Sequence, residues 1–125
     1  MPRPLERIVW MPSPPLVPDD APIDLAHLSR MTLGDTGVER EVLAMFAAQA
    51  TDLVDRLAAM PADADRLAHT LKGSARAIGA FRVADAAAEV EAAIRGDQPT
   101  AEPIRLLRAT VSEARRVIDA ILKRS

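Results

Sequence analysis

Apolar residues recur along most of the chain at spacings of three and four. Leu43, Phe46, Ala50, Leu53, Leu57 and Met60 form the longest such stripe, which predicts an amphipathic helix of about six turns. Gly34-Asp35 precedes it, and Thr36 with Glu39 three residues on reads as a capping box at its start. Pro61 closes it. A second helix is predicted over Asp63 to Ile78, with Leu67, Leu71, Ala75 and Ile78 on its apolar side and Gly79 ending it. Asp63 and Asp65 lie in its first turn, where the helix dipole favours carboxylates. Val83, Ala87, Val90 and Ile94 mark a third helix, which stops at Gly96-Asp97 ahead of Pro99. Thr100 is expected to cap a fourth, built on Ile104, Leu107, Val111, Ala114, Ile118 and Ile121, with Pro103 tolerated in its first turn. Ahead of all of them, Asp24 can cap a short helix through Leu25, Leu28 and Met31.

No stretch alternates with a period of two, and no internal repeat is visible. Short connections force antiparallel neighbours. The pattern therefore predicts an all-α fold: an antiparallel up-down four-helix bundle over residues 23–125, with a short extra N-terminal helix. Residues 1–22 hold Pro2, Pro4, Pro12, Pro14, Pro15, Pro18 and Pro22 and read as an extended arm without a core of its own. Within that arm, Ile8-Val9-Trp10-Met11 is either part of a disordered leader or a strap that packs on the bundle or on a partner.

Composition narrows the class. Hydrophobic residues make up 49% of the chain and aromatics only 2%, so the core must be aliphatic. The net charge of −2 gives no basic surface for nucleic acid. With no Cys, disulfides and thiolate chemistry are excluded. No apolar run approaches the ~18 residues of a membrane span, and the apolar run near the N-terminus is too short for a signal peptide. A cytoplasmic monomer is expected. Nearly all the basic residues are Arg, and Ala is abundant, which suggests a GC-rich bacterial gene. Against that background the Lys at position 72 points to a specific use of a compact ammonium.

The candidate chemistry centres on His69. On an ideal helix, Leu67, Ile78 and Leu71 fall at roughly 160°, 180° and 200° from His69. The apolar stripe is thus opposite the imidazole, which shares its side of the helix with Asp65, Arg66, Lys72, Gly73 and Arg76. A histidine used for packing would sit on the stripe. A neutral imidazole in water is a good nucleophile near neutral pH, with a reference pKa of about 6.5. Lys72, three residues on, can hold its ammonium beside the group the ring attacks, which favours an anion such as phosphoryl. Gly73 has no side chain, so a partner can approach closely; a mid-helix glycine costs about 1 kcal/mol relative to alanine. His27, alone on a short helix, reads as a surface or boundary residue. Ser74 falls at roughly 140° from His69, so its hydroxyl is expected to bond a backbone carbonyl.

The segment His69-x-Leu71-Lys72-Gly73-Ser74-Ala75, followed by Ile78-Gly79-Ala80 and then Glu89-x-Glu91, resembles the histidine-containing phosphotransfer (HPt) domain over about residues 23 to 122. The resemblance implies that His69 accepts a phosphoryl group from an aspartate on one receiver domain and passes it to another. It implies that Lys72 stabilises that group and that Gly73 clears the docking surface. Glu91 stands where some members carry a Gln that supports the imidazole. Arg76 and Arg66 on the His69 face would contribute to docking. With Arg82 and Arg95 they form either a solvated face or a collar for an acidic receiver.

Other chemistry finds little support. Two histidines on separate helices without Cys do not make a metal site. There is no Ser-His-Asp set and no Gly-rich phosphate loop, so neither hydrolysis nor autophosphorylation is expected. The chain would be a phosphocarrier rather than an enzyme, with no cofactor of its own. Magnesium would come with the partner, a response-regulator receiver domain or a hybrid histidine kinase. The rival readings are an HPt-fold module that binds or inhibits a kinase or receiver without carrying phosphate, and a purely structural bundle or a domain cut out of a hybrid kinase.

Overall fold

The computed structural model describes residues 21–124, and the Pro-rich segment up to residue 20, with its Ile8–Met11 patch, lies outside them. The described residues form five helices and no strand. These are α1 (Leu25–Met31), α2 (Thr36–Ala58), α3 (Ala64–Ile78), α4 (Phe81–Arg95) and α5 (Ala101–Lys123). The long helices pack in a ring: α2 touches α3, α3 touches α4, α4 touches α5, and α5 returns to α2. The short α1 lies on α2 and α3.

The periodic apolar positions supply the core. Leu43, Phe46, Leu53, Leu57, Leu71, Val83, Val90, Leu107 and Ile118 are all buried, and Ala50, Ala68, Ala75, Ala87 and Ala114 fill the space where helices approach closely. Burying one such aliphatic side chain contributes about 1.5–3 kcal/mol, so the stripes together hold the ring closed. Met60 departs from the expectation. The helix ends at Ala58, and Met60 follows with φ of 50°, 44% exposed. Once the chain leaves the helix, the three-four spacing no longer places a residue on its face.

The caps also differ in part. Asp24 caps α1 as expected, accepting from the His27 N–H at 3.0 Å. At α2, however, Asp35 is the cap, accepting from the Val38 N–H at 3.0 Å, and Thr36 is the first helical residue. Glu39 does not complete a capping box; its Oε2 accepts from the Thr32 hydroxyl at 3.2 Å and ties α2 to the end of α1. Asp63 and Thr100 occupy the positions before α3 and α5 without a side-chain capping bond.

Gly79 fixes where α1 sits. It ends α3 in the left-handed region, φ 87°, and its carbonyl accepts from the Asp24 N–H at 2.9 Å. A Cβ at this position would lie 2.8 Å from the Asp24 carbonyl oxygen. The start of α1 therefore docks against a backbone that only glycine leaves open. His27 completes the junction: its Nε2–H donates to the Ala77 carbonyl at 3.1 Å, and its ring meets Phe81 edge-on at 5.2 Å.

Candidate functional site

His69 stands on the outer face of α3, its side chain 62% exposed. The helix is amphipathic, with Leu67, Ala68, Leu71, Ala75 and Ile78 buried, so burial of the stripe turns His69 to the opposite side. Gly73, one turn on, is exposed, and a Cβ built there would meet nothing within 4 Å. Among the described residues, no packing requires a glycine at this position.

Across the α3–α4 contact lies Glu91, buried at 4% exposure and the only buried charged residue among those described. Glu89, two residues earlier on α4, faces solvent. The Glu91 carboxylate gathers three groups. Its Oε2 takes His69 Nδ1 at 3.0 Å and Arg95 Nη2 at 2.9 Å, and its Oε1 takes the Lys72 ammonium at 2.8 Å. Burial alone would raise the pKa of this carboxyl. The Lys72 hydrogen bond outweighs it, and His69 and Arg95 add to that, so the group is held below the usual carboxylate range.

The ionised carboxylate can only accept hydrogen bonds, so Nδ1 of His69 is the donor. A neutral ring then carries its lone pair on Nε2, at the exposed edge. The carboxylate thus fixes both tautomer and orientation.

Lys72 stands near the imidazole, as its spacing predicts, but its ammonium is already engaged. Its side chain is only 19% exposed and is bound to Glu91. The reason is tertiary: α4 brings a buried carboxylate within reach, which no count along α3 reveals. Arg95 was legible only as one of several surface arginines. Its place in the cluster follows from lying four residues after Glu91 on the same helix, a spacing that pairs side chains. Arg66 and Arg76 are exposed on α3, and neither side chain joins the Glu91 cluster. Ser74 makes no hydrogen bond to a backbone carbonyl among the described residues; it lines a groove between α2 and α3. No group of His, Asp and Glu that could hold a metal ion occurs among the described residues, and no helix among them is long and apolar enough to cross a membrane.

The structure is similar to that of the histidine phosphotransferase ShpA from Caulobacter crescentus, with a TM-score of 0.66 and 30% identity, covering 81% of this chain and 90% of that one. Among curated proteins none matches significantly. The Hpt domain family matches residues 41–120, which include the whole His69–Glu91–Arg95 cluster, and the chain belongs to that family.

Proposed function

We propose that this protein is a phosphorelay intermediate that carries a phosphoryl group on His69 between aspartates of receiver domains. The observation that carries the reading is the exposed imidazole whose Nδ1 is held 3.0 Å from a buried carboxylate. His69 Nε2 attacks the phosphorus of an aspartyl phosphate in line. The N–P bond forms, the acyl phosphate P–O bond breaks, and the aspartate leaves as a carboxylate. The ring keeps its Nδ1 proton, and the positive charge that develops on it faces Glu91. Return transfer to a second aspartate reverses these steps.

Lys72 and Arg95 share the Glu91 carboxylate with His69. Both rest on Glu91 before phosphate arrives and can turn towards the phosphoryl oxygens afterwards, because a dianionic phosphoryl competes with a carboxylate for them. Gly73 leaves the approach open, and Arg66 and Arg76 supply positive charge around it for an acidic partner. The four long helices run up and down as an antiparallel bundle. The receiver domain brings the magnesium and the acidic pocket, so the chain acts as a carrier with no autokinase activity. It works as a cytoplasmic monomer in a bacterial two-component system.

The test is label transfer from a panel of phosphorylated receiver domains. Wild type and His27→Gln should take up label. His69→Gln should fold, by circular dichroism, and take up none. The linkage should be acid-labile and base-stable. Label retained on His69→Gln would overturn the assignment.

A further inference from the structure

Glu91 holds two cations, and it does not hold them alike. Among the described residues, its Oε1 is bonded to the Lys72 ammonium alone, at 2.8 Å. Its Oε2 has two partners, His69 Nδ1 at 3.0 Å and Arg95 Nη2 at 2.9 Å. If the guanidinium leaves, Oε2 keeps the Nδ1–H donor. If the ammonium leaves, Oε1 loses its one donor while the carboxylate stays buried. Taking a partner from a buried charge is strongly unfavourable, because the atom left behind has neither water nor a counter-ion.

Exposure separates the two cations in the same sense. The Lys72 side chain is 19% exposed and that of Arg95 is 61% exposed. Arg95 is the last residue of α4, with Gly96 after it, so no further helical turn covers its side chain. It shares Oε2 with the imidazole and therefore lies beside the ring. A guanidinium is also the better match for a phosphoryl group, since its planar fork can give two parallel N–H bonds to two oxygens.

We infer that Arg95, and not Lys72, takes the phosphoryl oxygens once His69 is phosphorylated, while Lys72 stays on Oε1 and holds Glu91 in place against the ring. The inference rests on the phosphotransfer reading and assigns separate tasks to the two cations of that site. Arg95 is then a catalytic residue, in contact with the transferred group. Lys72 is a positioning residue that acts through Glu91. The division follows from the carboxylate at position 91. A neutral amide there would bind neither cation as strongly and would leave the lysine free to turn outward.

Phosphoramidate can phosphorylate His69 without a receiver: the bond to Nε2 forms as its own P–N bond breaks and ammonia leaves. In the full chain so treated, the Arg95 guanidinium signals in nitrogen NMR should shift, while the Lys72 ammonium signal stays in place. The chain has only two lysines, so Lys123→Arg assigns that signal. The half-life of the phosphohistidine should fall severalfold in Arg95→Met and recover in part in Arg95→Lys. In urea melts of the unphosphorylated protein, Lys72→Met should lower the midpoint more than Arg95→Met, because only the first leaves Oε1 without a donor. A Lys72 signal that moves as far as that of Arg95 would overturn the proposal. So would a half-life unchanged in Arg95→Met, an Arg95→Met midpoint as low as that of Lys72→Met, or an imidazole that phosphoramidate does not label. The two readings fail separately: cations divided as inferred, with no label taken from any receiver, sink the phosphocarrier, and normal label transfer with Lys72 on the phosphoryl sinks the role of Arg95.

Discussion

Glu91 is a carboxylate almost removed from water that faces Lys72, His69 and Arg95. Its folded pKa lies below its ordinary value of 4.5, with the Lys72 hydrogen bond as the first cause. A depressed pKa means that the folded state binds the proton less well than the unfolded chain does. The stabilisation is then complete above the unfolded value and is lost as pH falls through the folded one. Glu91→Gln should destabilise the protein by about 1.5–3 kcal/mol near neutral pH, the range for hydrogen bonds to charged groups. In urea melts the gap between the two proteins should hold down to about pH 4.5 and shrink below it. A gap that does not vary with pH would mean that the charge of Glu91 contributes nothing. At Gly73 the reasoning is the reverse, since no contact among the described residues uses the missing side chain. Gly73→Gln should leave the melting temperature unchanged or raise it, by up to about 1 kcal/mol in stability, while label transfer slows sharply. Transfer at the normal rate would reduce Gly73 to a tolerated helix position.

Among the elements, the joint between α3 and α1 depends most on a single residue. Gly79 combines a left-handed backbone with a close approach of Asp24. An alanine there meets the strain of φ 87° and a clash with backbone at 2.8 Å at once. Gly79→Ala should destabilise by about 1–3 kcal/mol from the backbone strain. Proteolysis should then start earlier between residues 20 and 36, because α1 loses its seat first. Thermal melts superimposable on wild type would show that α1 contributes little to the bundle. The sequence marked Gly79 as a helix end, which its position after Ile78 makes plain. It did not show that the end of α3 is the dock for residue 24, because that contact joins distant parts of the chain. The α2 start shows the same limit on a shorter scale. Asp35 and Thr36 are both good caps; the structure uses Asp35, and Glu39 accepts from Thr32 instead of completing a capping box.

Over the whole molecule, the ring of α2, α3, α4 and α5 sets α3 against α4, and that contact makes the site. His69 and Lys72 come from α3, Glu91 and Arg95 from α4, and only the packing of these two helices brings the four together. The sequence by itself determined which segments are helical and which side of α3 faces water. Periodicity is a local property, and the hydrophobic effect acts on it directly. It also determined that the imidazole lies opposite the apolar stripe with a lysine and a glycine one turn on, because a helix has a fixed pitch. Only the tertiary structure decided that Lys72 is bound to a buried carboxylate rather than free in water, and that Arg95 shares that carboxylate with His69. Those facts depend on the rotation and axial offset of α4 against α3. Side chains spread over both helices set these jointly, and no spacing along a single helix encodes them.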